Sequence, residues 1–160
     1  MQTPAANFEL SFTRMIDVPR EKLFRCWTEP ELLKPWFCPK PWSVSHAEID
    51  PRNGGSSYIV MNGPNGEIMP NNGIYLEVIK NEKIVFSNAF TAGWQPQPVE
   101  SPGFMFVGII EFADSGNGNT LYKASVRHWT QEDAKTHEGM GFYDGWGKAT
   151  DQLAEFAKSI

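Results

Sequence analysis

Apolar and polar residues alternate at the start of the chain. In FELSFTRMI (8–16), Phe8, Leu10, Phe12 and Ile16 share one face, and Glu9, Ser11 and Thr13 the other. A period of two predicts a half-buried strand. Asp17-Val18-Pro19 then turns the chain, with Pro19 suited to a first helical turn and Asp17 placed to cap it. PREKLFRCWT sets Leu23, Phe24 and Trp27 at helical spacing, and a second short helix is expected over 31–34, ended by Pro35. From 42 to 129 the pattern is that of a β-meander, with strands over 42–50, 56–62, 67–79, 83–90, 103–112 and 120–129. Asn53-Gly54-Gly55, Gly63-Pro64-Asn65-Gly66, Asn81-Glu82 and SGNGN separate them. Pro70 and Gly73 predict an irregular edge or a bulge in the fourth strand. The Pro-rich stretch TAGWQPQPVESPG is long enough to overhang a neighbouring surface.

The chain closes on a helical pattern. Thr130 is a good N-cap, followed by acidic Glu132 and Asp133. At about 100° per residue, one stripe collects Phe142, Trp146, Ala149, Leu153, Phe156 and Ile160. Read as one continuous helix, the segment carries Gly139, Gly141, Gly145 and Gly147 in its first half. Each costs about 1 kcal/mol against Ala there. The glycines either thin the helix where it roofs a cavity, or mark a frayed or kinked start. The same wheel puts His137 on the polar side.

Composition narrows the class. A single domain over 1–160, with its core over about 8–158, is expected from a length of 160 residues, 41% of them hydrophobic. The formal charge of -5, with no block of like sign, argues against nucleic acid and against an anionic membrane surface. No apolar run reaches membrane-spanning length, and MQTPAANFEL lacks a secretory signal, so a cytoplasmic location is expected. Cys26 and Cys38 are too few for a disulfide scaffold and fit no zinc spacing. They are read as reduced, partly buried thiols. Neither a metal nor a cofactor is expected: no His-Glu-x-x-His, dinucleotide fingerprint or nucleophile elbow occurs.

The words of the sequence point further. DVPREKLFRCWTEPELLKPWF (17–37), the turn IDPRNGG, the hairpin NGPNGEIMPNNGIYLEV and the tail HWTQEDAKTHEGMGFYDGWGKATDQLAEF occur in that order. Together they resemble the heat-shock protein 90 ATPase activator homologue family (AHSA-like) of the START-like (SRPBCC) superfamily, bacterial single-domain type. The resemblance implies an α+β helix-grip fold of the START-like, Bet v-like kind. A curved antiparallel sheet of six to seven strands would wrap a long C-terminal helix, with two short helices after the first strand. The family's eukaryotic namesake stimulates a chaperone through a separate N-terminal domain. No counterpart precedes residue 8, so that role is not expected to carry over.

Strand parity nominates the residues of an interior. Tyr122, Ala124, Val126 and His128 face in, and Lys123, Ser125 and Arg127 face solvent; Ile84, Phe86, Asn88 and Phe90 form a second inward row. Ile59 and Met61 form a third. Arg14 shares the first strand's inward row and is expected to snorkel to its end. The expected partner is a small hydrophobic molecule walled by Phe37, Trp42, Ile59, Met61, Phe86, Phe90, Phe142 and Trp146, with Asn88, His128 and Tyr143 supplying polarity. Two alternatives stay open. One is an enzyme of cyclase, aromatase or hydrolase type with His128 as acid or base. The other is a chaperone-activator-like interaction protein. The edge near Pro70 or the Pro-rich loop offers a surface for a homodimer. Glu48 and Asp50, on one strand face, are read as solvated.

Overall fold

A computed structural model describes residues 8–98 and 103–160. Strand β1 (Glu9–Ile16) is followed by helices α1 (Arg20–Thr28) and α2 (Pro30–Leu33). The sheet continues with β2 (Ser43–Ile49), β3 (Ser56–Asn62), β4 (Ile68–Ile79) and β5 (Lys83–Ser87). A small ribbon, β6 (Phe90–Thr91) and β7 (Gln95–Pro96), precedes β8 (Phe106–Gly116) and β9 (Asn119–His128). Helices α3 (Gln131–Gly139) and α4 (Phe142–Lys158) end the chain. The seven long strands form one antiparallel sheet in the order β1-β9-β8-β5-β4-β3-β2. β1 crosses to pair with β9, with Leu10 opposite Val126 and Ile16 opposite Thr120.

The expected inward row of β9 is buried throughout and those of β5 and β3 in part: Phe86, Asn88 and Met61 are half-buried, and Phe90 leaves the sheet. Tyr122, Ala124, Val126 and His128 are buried on β9, as are Ile84 on β5 and Ile59 on β3. Tyr122, Ala124 and Ile84 meet Leu23, Phe24 and Trp27 of α1 and Ala149, Leu153 and Ala157 of α4 in one core, while Val126 packs with Leu10 and Phe142, and Ile59 with Leu33 and Ala47. Burying a leucine such as Leu153 stabilises by about 1.5–3 kcal/mol. Arg14 does snorkel: its guanidinium lies 5.0 Å from the Phe12 ring centroid and 3.7 Å from Asp151.

Five local expectations need correction. Asp17 does not cap α1; Pro19 is the N-cap, and its carbonyl takes the N–H groups of Lys22 and Leu23. The bulge in β4 falls between Tyr75 and Glu77, whereas Pro70 pairs in register with Val60. Pro70 is tolerated because β5 pairs only with 74–79, leaving that half of β4 with β3 alone. The strand over 83–90 stops at Ser87, and Phe90 passes to the ribbon. Ser125 is buried, its small side chain flanked in register by Ser11 and Ile109. The Pro-rich stretch forms the ribbon, and Trp94 lies over Gly54; its residues 99–102 fall outside the described part.

The fifth correction matters most. The C-terminal helix is two helices. Thr130 caps α3 as expected, its hydroxyl accepting from the N–H of Asp133 at 3.0 Å. The chain then breaks at Gly141, which has φ 93°, a left-handed conformation that glycine adopts without a Cβ clash. Gly141 ends α3 through its N–H to the Glu138 carbonyl and starts α4 through its own carbonyl, which accepts from Gly145. The helical phase restarts there, so a wheel drawn across the break misplaces α3.

Candidate functional site

Between the sheet and the first turns of α4 lies a cavity of about 320 Å³. The walls are Trp27 from α1, Trp36, Phe37 and Pro39 from the segment after α2, Met61 from β3, Phe106 from β8 and Tyr122 from β9. Phe142, Gly145, Trp146, Ala149 and Thr150 of α4 roof it, with His137, Met140 and Gly141 at the helix break. A smaller pocket of about 90 Å³ shares Trp27 and Phe106 and extends along β3, β4 and β5 past Ile59, Phe86 and Asn88.

Local sequence explains how each wall stands. Trp27 and Trp36 meet edge to face with ring centroids 5.1 Å apart. The Trp27 indole N–H donates to the Tyr122 hydroxyl at 3.2 Å, and the Trp36 indole N–H to the Cys26 carbonyl at 3.2 Å. Gln152 of α4 fastens the segment after α2: its amide donates to the carbonyls of Trp36 and Cys38, and its oxygen accepts from the N–H of Lys40. Phe86 stacks on Trp146 at 6.5 Å and 16°. It can lie flat because residue 108, directly opposite in register, is glycine; a Cβ there would collide with the ring. Gly145 does the reverse, since a Cβ added to it meets nothing within 4 Å. The helix is thinned over open space.

The polar groups are few. His128 is buried; its Nδ1 lies 2.8 Å from the Phe8 carbonyl oxygen and its Nε2 2.9 Å from Nδ1 of His137. His137 sits among aromatic rings, with Phe104 at 4.8 Å, Phe142 at 5.3 Å and Phe106 at 5.6 Å between centroids. Burial, and then the neighbouring His128, push its pKa down to about 4, so the ring is neutral at pH 7. Burial raises both thiols, Cys26 and Cys38, to about 11, which leaves them protonated and unreactive. It also holds the Tyr122 phenol well above its ordinary value. Among the described residues, no group of three or more His, Cys, Asp or Glu side chains is placed to hold a metal ion. Glu48 and Asp50 are spent on His46 and Arg52 at the surface.

The structure gathers the sequence-nominated residues unevenly. Phe37, Met61, Phe142 and Trp146 line the larger cavity, and Ile59, Phe86 and Asn88 the smaller pocket. Asn88 is tied up there: its oxygen accepts from the N–H of Phe106 and its amide donates to the Phe104 carbonyl, both at 2.9 Å. Trp42, Phe90, His128 and Tyr143 line neither. Phe90 packs on Trp94 in the ribbon, Tyr143 is exposed, and His128 stands behind His137. His137, assigned to a polar helix face, is instead in the cavity wall. A shorter helix phased from the Thr130 cap to Gly141 would have found it, because Ala134 and His137 fall three apart on one face. Trp27, Trp36 and Phe106 were legible as apolar, but no sequence signal separates cavity wall from core.

A seven-stranded antiparallel sheet gripping a C-terminal helix, after two short helices, is the START-like helix-grip fold. The chain belongs to the activator of Hsp90 ATPase homolog 1-like family, whose model matches residues 17–158. It is similar to a crystallographically solved protein from Nitrosomonas europaea at 39% identity and TM-score 0.88, with 96% of each chain covered. It also resembles a protein from Rhodobacter sphaeroides (18% identity, TM-score 0.82, 99% of this chain and 97% of that one). An AHSA1-like protein from Aeromonas hydrophila, solved in solution, gives 18% identity and TM-score 0.69 over 94% and 92% of the two chains. At those last two identities the likeness is one of fold alone. No curated protein matches the chain. The fold is, in general, of the ligand-binding kind. Among the described residues no helix is long and apolar enough to cross a membrane.

Proposed function

We propose that this is a cytoplasmic protein that binds a small, largely apolar molecule in the cavity between the sheet and α4. The observation that carries the reading is the combination of open volume with aromatic walls. About 320 Å³ stands at the lower end of the roughly 300–1,000 Å³ typical of small-molecule pockets. Trp27, Trp36, Phe37, Phe106, Phe142 and Trp146 surround it. Rings of this size have few rotors, so they hold a shape without collapsing into it. A sequence optimised only for packing would place a side chain at residue 145, where a Cβ costs nothing sterically and gains helix propensity. Glycine there keeps the space.

Native mass spectrometry of the gently purified protein, with extraction of anything bound, tests this. A stoichiometric apolar molecule, or saturable calorimetric binding of apolar probes to the emptied protein, is the expected result. A protein that carries nothing and ignores the whole probe panel would sink the reading.

A further inference from the structure

We infer that the cavity takes apolar molecules that carry a hydrogen-bond donor, a phenol or an alcohol, and that the donor is received by Nε2 of His137. This rests on the cavity-binding reading above and adds the chemical class of the ligand.

The relay begins at a backbone oxygen. The Phe8 carbonyl can only accept, so Nδ1 of His128, 2.8 Å away, carries the hydrogen. In the neutral form of the ring that is its one N–H, which leaves Nε2 of His128 bare and accepting. Nδ1 of His137 lies 2.9 Å from that nitrogen and must donate to it. The second hydrogen is thereby placed, and Nε2 of His137 is left as a lone pair. Neither ring can be turned to the other tautomer without setting two lone pairs or two hydrogens face to face. The carbonyl at one end of the chain dictates the polarity at the other.

His137 lines the cavity, and among the described residues its Nε2 makes no hydrogen bond. Trp146 offers an indole N–H that makes no hydrogen bond among the described residues, and the two hydroxyls of the lining are engaged. The Tyr122 hydroxyl accepts from the Trp27 indole and has Thr150 as its other hydrogen-bonding neighbour; the Thr150 hydroxyl donates to the Trp146 carbonyl at 2.7 Å. Burial keeps His137 neutral, so a proton is not on hand to convert Nε2 into a donor. This acceptor is open to water, a guest that fills the cavity displaces that water, and a ligand O–H that meets Nε2 replaces the bond a ligand without a donor leaves unmade. A ligand of the same shape with only an acceptor oxygen faces lone pair against lone pair.

The test is a matched pair. Calorimetric titration of the full chain at pH 7.5 compares 2-naphthol with 2-methoxynaphthalene, and phenol with anisole, each pair keeping the ring and the oxygen while removing the donor. The hydroxyl member is expected to bind about tenfold more tightly, the equivalent of one buried hydrogen bond. His137→Phe is expected to abolish that advantage, so that the two members of each pair bind it alike. Equal affinity within both pairs in the unaltered protein overturns the donor preference and leaves the cavity reading standing. If none of the four binds, the cavity reading falls and takes the preference with it. Should His137→Phe fail to fold, ¹⁵N spectra of the histidine rings decide independently. A protonated Nδ1 and a bare Nε2 in His137 support the relay, and the reverse overturns it.

Discussion

Replacing Gly145 with alanine asks the most direct question of the cavity. Gly145 lies one turn into α4, and a Cβ built on it meets no atom within 4 Å. Three terms set the outcome. Helix propensity favours alanine over glycine by about 1 kcal/mol in a helix interior. The steric term is zero, because the methyl enters open volume. No hydrogen bond is lost, since the N–H of Gly145 to the Gly141 carbonyl is a backbone bond. Gly145→Ala should therefore stabilise the protein by about 1 kcal/mol, which is about 2–4 °C in Tm for a chain of this size. Urea and thermal unfolding followed by circular dichroism measure it. A bulkier Gly145→Phe should occupy the cavity, retain the fold and abolish binding of apolar probes. If Gly145→Ala destabilises instead, α4 lies on the sheet without the gap, and the reasoning from the thinned helix is refuted.

Three other outcomes follow from the geometry. Gly108→Ala should destabilise by about 1–3 kcal/mol in urea unfolding, because the new Cβ must displace the Phe86 ring and with it the stack on Trp146. His137 has a pKa near 4 when folded against 6.5 when free, so over that window the unfolded chain binds a proton that the folded one refuses. Stability is unaffected above about pH 6.5 and falls with decreasing pH until about 4. The full shift at roughly 1.4 kcal/mol per pH unit is an upper bound, and solvent screening of this half-buried ring reduces the loss to about 1–2 kcal/mol; His137→Phe should remove this part of the acid sensitivity in urea unfolding at stepped pH. Asn88→Ala deletes two hydrogen bonds joining the end of β5 to the start of β8 and leaves the Phe106 N–H and the Phe104 carbonyl without them. A loss of about 2 kcal/mol is expected, read by chemical denaturation.

What the sequence conveyed and what it withheld divide along physical lines. Period two marks a strand wherever one face is wet, and β1, β3, β5 and β9 were legible for that reason. β8, apolar on both faces, gave no parity, and the role of Gly108 beneath Phe86 was therefore hidden. The apolar stripe of α4 was legible from Phe142 to Phe156, because burial repeats there at helical spacing. The break before it was not. A left-handed glycine and a merely tolerated one are the same letter, and only the conformation of Gly141 distinguishes them. That single φ angle carried His137 from the expected polar face to the cavity wall. It also joined it to His128, nine residues earlier, the one histidine whose inward direction the strand pattern had revealed.

The placement of the indoles gives the molecule an optical property of its own. Of the six tryptophans, Trp27, Trp36 and Trp146 line one cavity, Trp94 and Trp129 stand 57% and 54% exposed, and half-buried Trp42 lines neither pocket. The intrinsic emission is thus the sum of distinct populations. Acrylamide quenches the exposed pair first and leaves a blue-shifted remainder to which the three cavity indoles contribute most. A guest that displaces water from those walls changes that remainder alone, in colour and in lifetime. The protein carries its own reporter for occupancy, with an internal reference emitting beside it.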